Sequence, residues 1–575
     1  MKRVATEAKA ATVPAMKSRL ALILALFLSL LSLPATAVAA GGMVSAADPR
    51  AAEAGRTILH EGGNAADAAM AMLLALTVVE PQSSGIGGGG FLIHHDGKSG
   101  RILTIDGRET APAVAGPGRF LGLDGKPLPF RQAVPGGLSV GVPGNVRLME
   151  QVHKRWGRLP WAKLFEPAIA LAEKGYKVTP RMAQMMALVA PVWKDFPEIS
   201  ALYAPDGTPL PVGATVRNPA LAATLQRIAQ QGPDAFYTGE TAAAIVKAVA
   251  NAPRNPTTLS PADLAAYRAK ARPAVCGAYR RYRICGMGPP SSGAVTILQI
   301  LGMLERFDMK ALGPNDPRSW HLIAEAMQLA YADRDAYLGD SDFVKVPLAG
   351  LIDKNYLAKR SALISIDKSL PAYEAGMPPG AAPRTTVPSS EVPSTTSFIA
   401  ADESGDMIAM TSTVEGPFGS QLVANGFVLN NELTDFSFAP EKNGAPVANR
   451  VEAGKRPLSS MSPTIVYGPE GKAILAIGSA GGKQIIMHVL RALVGVLDWG
   501  LTAQQAIDLP NIYFGGGAVL VEKGTMLEKM APRIEVLGQT VTPASLTSKL
   551  NAIERTPDGW RGAADPRSEG VALAE

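Results

Sequence analysis

Between Asn64 and Glu80 the chain reads Ala65-Ala-Asp-Ala-Ala-Met-Ala-Met-Leu-Leu-Ala-Leu-Thr-Val-Val79, apolar nearly all round a helical wheel and interrupted only by Asp67. A helix with no polar face must be covered on every side. Fifteen residues rise only about 22 Å, short of the ~30 Å hydrocarbon core of a bilayer, so the cover has to come from protein. Such burial demands a large core, and a chain of 575 residues with 47% hydrophobic and 18% charged residues can supply one. The length allows two to four domains of ~150 residues, or one large α/β domain assembled in layers. Asn64 is placed to cap this helix, and Asp48-Pro49 to cap an earlier one that ends before Gly62-Gly63. Next come Gly85-Ile-Gly-Gly-Gly-Gly90 and a strand pattern, Phe91-Leu-Ile-His-His95. A phosphate loop needs a following helix, and here the Gly-Lys-Ser/Thr signature is missing too, so these glycines are expected to let backbones approach closely.

The N-terminus reads as an address. Lys17 and Arg19 precede an apolar run from Leu20 to Leu33, then Pro34 and the small residues Ala35-Thr36-Ala37-Val38-Ala39-Ala40. This is the pattern of a leader over residues 1–39, removed on export to the periplasm or medium, with Met1 or Met16 as the start and a retained membrane anchor as the alternative. Five bases and one acid fall in those 39 residues, so of the net charge of +6 an excess of only two belongs to the rest. That balance offers no basic patch for nucleic acid.

Helical patterns dominate from Val146 to Lys270 and recur over Ala294 to Phe307 and Trp320 to Tyr337. Two cysteines, Cys276 and Cys285, flank Arg280-Arg281; if those arginines form a two-residue hairpin loop, the cysteines lie opposite each other and an exported protein could join them. Two buried free thiols are the alternative, and the spacing matches no metal site. From Pro371 to Ser394 the composition turns Pro-rich and loses its helical period, which reads as a linker.

Strand patterns follow at once. Thr395-Thr-Ser-Phe-Ile-Ala-Ala-Asp402 and Met407-Ile-Ala-Met-Thr-Ser-Thr413 form a predicted hairpin. Pairing Asp402 with Met407 puts Thr413 beside Thr395 and Thr396. Threonines on neighbouring strands alone signal only β-propensity.

Their surroundings change that reading. Asp106-Gly-Arg-Glu-Thr-Ala-Pro112, Pro289-Pro-Ser-Ser-Gly293, Glu325-Ala-Met-Gln-Leu-Ala-Tyr-Ala-Asp-Arg334, Pro393-Ser-Thr-Thr396, Leu429-Asn-Asn-Glu-Leu-Thr-Asp-Phe-Ser437, Arg456-Pro-Leu-Ser-Ser-Met-Ser-Pro463, Gly478-Ser-Ala-Gly-Gly482 and Asp565-Pro-Arg567 occur in this order. The chain thereby resembles the γ-glutamyltranspeptidase family of N-terminal-nucleophile hydrolases. The resemblance implies a four-layer αββα sandwich, where periodicity alone gives only mixed α and β. It implies a precursor that cuts itself between Ser394 and Thr395 into a large subunit of about residues 40–394 and a small one of 395–575, paired as a heterodimer. The linker is then a processing site. A threonine hydroxyl needs a base, and a freed α-amino group with a reference pKa near ~8 can serve within its own residue.

By the same resemblance Thr413 hydrogen-bonds the nucleophile Thr395, and the backbone of Gly481 and Gly482 holds the oxyanion. Arg108 would bind the donor's α-carboxylate with help from Ser459 and Ser460, while Glu415, Glu432 and Asp435 would hold its ammonium. The donor would be glutathione or another γ-glutamyl compound and the acceptor water, an amino acid or a peptide, with no metal or organic cofactor. Three acids around an uncharged methylene would be costly, which favours a γ-glutamyl donor over a glutaryl or cephalosporin side chain. Ser397 stands where the family often has His. The 23 residues between Asp435 and Ser459 hold no Tyr or Trp, so a more open site is expected. A β-lactam side-chain acylase and a non-catalytic exported binding protein are the rival readings.

Overall fold

The computed structural model describes residues 38–39, 41–382 and 394–575. Most of the predicted leader and residues 383–393 of the Pro-rich linker lie outside these residues. Asp48 caps the helix Pro49–His60, and Asn64 caps Ala65–Val79 through a reciprocal box with Asp67. All fifteen residues of the second helix are buried, Asp67 included. Its carboxylate accepts hydrogen bonds from the N–H groups of Asn64, Arg158 and Leu159, which satisfies the one charge in an otherwise apolar segment.

Two seven-stranded sheets form the centre. The first runs, in spatial order, Val571–Ala574, Met43–Ala46, Thr395–Ala401, Met407–Thr413, Gly89–His95, Ile102–Asp106 and Lys270–Arg272. The second runs Val38–Ala39, Gly559–Ala564, Asn551–Thr556, Ala473–Gly478, Thr464–Tyr467, Tyr282–Gly286 and Val275–Tyr279. Strand periodicity sorts their side chains into separate cores. Phe398, Ala400, Ile408 and Met410 face the helices Pro49–His60 and Ala65–Val79. Ile399, Ala401, Met407 and Ala409 point the other way, against Ile465, Ala476 and Ile553 of the second sheet. Val466, Leu475 and Ile477 in turn meet the helices Gly293–Leu304, Pro317–Tyr337 and Ile485–Leu497. Three apolar layers between helix, sheet, sheet and helix make the four-layer sandwich. Among the described residues no helix is long and apolar enough to cross a membrane.

The glycine run acts by close approach. A methyl group on Gly87 would lie 2.0 Å from the Val428 carbonyl oxygen, and one on Gly88 at 2.0 Å from that of Thr413. The cysteine hairpin has the expected register: Tyr279 pairs with Tyr282 and Cys276 with Cys285, whose sulfurs are bonded. The bond closes a loop with a sequence separation of only 9. Cys276→Ser/Cys285→Ser is therefore expected to cost about 2–3 kcal/mol, read as a lower denaturation midpoint at unchanged slope.

The central hairpin departs from the expected register by one residue. Ala401 pairs with Met407 and Thr395 with Thr413, while Asp402 pairs through its N–H with the Asp406 carbonyl. Three residues, Glu403 to Gly405, make the turn, with Gly405 at φ +91° and the Asp402 carboxylate accepting from the N–H groups of Ser404 and Asp406. Thr413 therefore faces Thr395 directly. A one-residue slip would have put these hydroxyls on opposite faces of the sheet.

Candidate active site

Strand pairing brings the two threonines together, and the local chain fixes their hydroxyls. Thr395 Oγ1 and Thr413 Oγ1 are 3.4 Å apart. Thr413 Oγ1 donates to the carbonyl oxygen of Ser394 at 2.9 Å and accepts from the Glu415 N–H at 2.8 Å. The Ser394 hydroxyl donates to the carbonyl of Gln82. The peptide bond expected to be cut is thus held on both sides, with its carbonyl oxygen on a hydroxyl donor.

A cavity of about 20 Å³, room for roughly one water, adjoins this pair. Arg108, Thr395, Thr413, Glu415, Glu432, Asp435, Ser459, Ser460 and Gly482 line it, together with Met461 and Ile485. All but one of the predicted catalytic and substrate-binding residues are on its wall. Gly481 stands next to it in the turn between the strand Ala473–Gly478 and the helix Ile485–Leu497. Gly481 and Gly482 have φ of +135° and +57°, conformations that glycine adopts without strain. Among the described residues neither of their N–H groups donates a hydrogen bond to the protein. Cys276 on the edge strand of the second sheet and Cys285 on the strand beside it do not line this cavity.

Arg108 follows the strand Ile102–Asp106 and is fully buried. Its guanidinium pairs with Glu432 through Nη1 and with Asp435 through Nη2 at 2.5 Å, and also donates to the carbonyls of Pro457 and Leu458 at 3.2 and 2.9 Å. In the uncut chain the two acids expected to hold an ammonium therefore lie on the arginine expected to hold a carboxylate. The 3-10 turn Glu432–Asp435 presents both. Glu415 sits in the left-handed region at φ +76°, an uncommon conformation for a non-glycine residue, and its carboxylate accepts from Asn431 Nδ2. Arg334 Nη2 donates to Ser460 Oγ at 2.8 Å, and Ser292 donates to the Ser459 carbonyl from both its N–H and its hydroxyl. Met461 and Ile485 pack with Phe91 and Met287, which gives the cavity one apolar wall.

Several of these residues were not singled out from sequence, although Arg334 and Asn431 stand inside the matched motifs. Glu109 is another. Its carboxyl is buried, and among the described residues no donor reaches either oxygen at hydrogen-bond geometry. Burial pushes its pKa up to about 8 against the pull of Arg108. Burial also raises Glu432 well above the usual carboxylate range, opposed by Arg108 and reinforced by Glu109 and Glu415. A raised acid binds a proton in the folded state that the unfolded chain has already lost. Its stabilisation is complete below about pH 4.5 and falls as pH rises to about 8. Glu109→Gln is expected to flatten this slope, worth on the order of a few kcal/mol, in urea midpoints measured between pH 5 and 8.

The segment after Asp435 is anchored rather than free. Phe438 stacks on Phe120 at 4.4 Å and on Phe130 at 6.0 Å, and Phe436 joins the same cluster. A short hairpin, Glu441–Lys442 with Ala445–Pro446, completes it. This places aromatic rings against the 111–138 segment instead of in the lining of the cavity.

A helix–sheet–sheet–helix sandwich with a buried threonine opening a central strand defines an enzyme of the N-terminal-nucleophile hydrolase fold. The Gamma-glutamyltranspeptidase family model matches residues 51–575, and the chain belongs to that family. It is 38% identical to the glutathione hydrolase proenzyme of Escherichia coli K12, over 92% of this chain and 90% of that one. It is 36% identical to the acylase ACY 1 proenzyme of Pseudomonas sp. SE83, over 93% of each. Cephalosporin acylase from Bacillus halodurans superposes with a TM-score of 0.83 at 28% identity, covering 94% of this chain and 96% of that structure. Membership in a family of enzymes removes the ground for the non-catalytic reading.

Proposed function

We propose that this protein is an exported γ-glutamyl hydrolase and transferase that matures by cutting itself between Ser394 and Thr395. The observation that carries the reading is the Thr413 hydroxyl, which donates to the Ser394 carbonyl oxygen while lying 3.4 Å from the Thr395 hydroxyl. Attack of Thr395 Oγ1 on the Ser394 carbonyl carbon forms a C–O bond. As the C–N bond breaks, the hydroxyl proton passes to the Thr395 nitrogen. Water then cleaves the ester, leaving a carboxylate on Ser394 and a free amine and hydroxyl on Thr395.

The freed amine takes the hydroxyl proton as Thr395 attacks the γ-amide carbonyl of the donor. The Gly481 and Gly482 N–H groups stabilise the oxyanion. The leaving amine departs with that proton, and water or an amino-acid or peptide acceptor resolves the γ-glutamyl ester. Glutathione is the representative donor. Arg108, Ser459 and Ser460 bind its α-carboxylate, Glu415, Glu432 and Asp435 its ammonium, and Met461 and Ile485 pack against its methylenes. Donor binding requires Glu432 and Asp435 to give up part of their hold on Arg108 in exchange for the ammonium. The residues from about 40 to 394 and from 395 to 575 remain together as a heterodimer.

The acylase relatives favour one other reading, a β-lactam side-chain acylase with the same nucleophile. A glutaryl group would bring a carboxylate to Arg108 but no ammonium to the acids that share that arginine. γ-Glutamyl p-nitroanilide is therefore expected to exceed glutaryl p-nitroanilide by about 100-fold or more in kcat/KM. Equal rates, or a preference for the glutaryl compound, would transfer the assignment to the acylases.

A further inference from the structure

One buried histidine lies against the turn that carries Gly481 and Gly482. His488 is on the first turn of the helix Ile485–Leu497 and is 1% exposed. Its Nδ1 is 3.1 Å from Ser479 Oγ, on the residue that follows the strand Ala473–Gly478. The ring packs so closely under the turn that a methyl group on Gly481 would lie 2.9 Å from His488 Cε1. Nε2 is buried and has no hydrogen-bond partner among the described residues. Behind the ring stand Arg491, Asp565 and Arg567, the last two from the Asp-Pro-Arg motif near the C-terminus. Arg491 is fixed by Asn511 and by the carbonyls of Ala506 and Ile507; Arg567 is fixed by Glu522 and Asp565.

Two successive glycines in left-handed conformations make a soft turn. Something else must hold its N–H groups in one direction. On its far side the Tyr331 hydroxyl donates to the Lys483 carbonyl at 2.7 Å. On its near side the His488 ring packs against Gly481.

We propose that His488 is a positioning residue for the oxyanion: its neutral ring, seated between Ser479 and Gly481, keeps the Gly481 and Gly482 N–H groups aimed beside Thr395. The inference rests on the acyl-transfer reading above. The ring stays neutral because burial, with Arg491 and Arg567 beside it, lowers its pKa to about 3 against the opposing pull of Asp565 and the Ala480 backbone. A charged ring would add a third cation to that cluster.

The test uses the full chain and follows turnover per self-cut molecule in wild type, His488→Leu, His488→Gln, Ser479→Ala and the His488→Leu/Ser479→Ala double variant. A support acting on the transition state predicts a kcat lower by about 10- to 100-fold in His488→Leu, with KM within about threefold. A tetrahedral boronate analogue of the donor should bind more weakly by the same factor, while free L-glutamate binds as before. Ser479→Ala should move both quantities in the same direction, and the double variant should fall short of the product of the single effects. The proposal is overturned if folded His488→Leu keeps kcat and boronate affinity within twofold of wild type. It is equally overturned if L-glutamate and boronate lose affinity alike, the mark of general loosening. Should His488→Leu not fold, His488→Gln and Ser479→Ala decide by the same two readouts. A wild type that neither cuts itself nor hydrolyses a γ-glutamyl anilide would instead refute the functional reading, and the oxyanion role with it.

Discussion

Thr395→Ala, purified and denatured, should give one uncut polypeptide, where the wild type should give two fragments meeting at Ser394/Thr395. The side chain that attacks and the carbonyl it attacks belong to adjacent residues, and Thr413 already donates to that carbonyl. Removing the hydroxyl removes the proposed nucleophile for cutting and for turnover together. Activity on a γ-glutamyl anilide should fall by about 10⁴-fold or more. The fold should survive, since Thr395 Oγ1 makes its contact with Thr413 at a long 3.4 Å. Intact mass, thermal unfolding and initial rate on the same sample check all three expectations. Two fragments from the variant would remove Thr395 from its role.

Arg108→Ala has the second large effect, and it acts on stability as well as on rate. The guanidinium is the buried partner of Glu432 and Asp435. Without it two carboxylates remain in a closed site, and breaking a buried pair in this way typically costs about 3–5 kcal/mol. Partial protonation of Glu432 softens that cost, so the loss should be smaller at pH 5 than at pH 8. Arg108→Lys keeps the charge and much of the stability but loses the fork that spans two carboxylates. Its expected signature is KM for the donor raised about 10- to 100-fold, with self-cutting retained. Urea midpoints at the two pH values and a KM series separate the structural from the binding contribution.

Much of this arrangement is legible in the sequence where the signals are local. Asn64 with Asp67 announces a helix start, and the apolar run after it announces burial. The cysteine hairpin is read correctly because two residues suffice for its turn. The central hairpin shows the limit: Glu403 to Asp406 looks like a four-residue turn, but the Asp402 carboxylate and Gly405 close it with three. Alternating apolar residues cannot separate those registers within a strand that is buried on both faces. The cavity wall is legible by family motif: every residue the motifs suggest for the candidate site except Gly481 lines it. What the motifs do not reveal is who holds whom. Arg108 finds Glu432 across a separation of 324 residues, and Glu109 is buried beside them with no donor at hydrogen-bond geometry among the described residues. These follow from packing, as does the left-handed backbone of Glu415.

The strand order carries one more consequence. Met43–Ala46 and Gly89–His95 flank the pair Thr395–Ala401 and Met407–Thr413, so segments from both sides of the 394/395 junction alternate within one sheet. Glu575, for its part, meets Gly42 through reciprocal hydrogen bonds, its N–H to the Gly42 carbonyl at 2.9 Å and its carboxylate to the Gly42 N–H at 2.6 Å. Residues 42 and 575 thus lie side by side in the fold. The proposed cut before Thr395 would divide no folding unit; it would place a chain end in the middle of the core. In topological terms the proposed maturation would need no assembly step, because the new terminus would arise already placed among its neighbours.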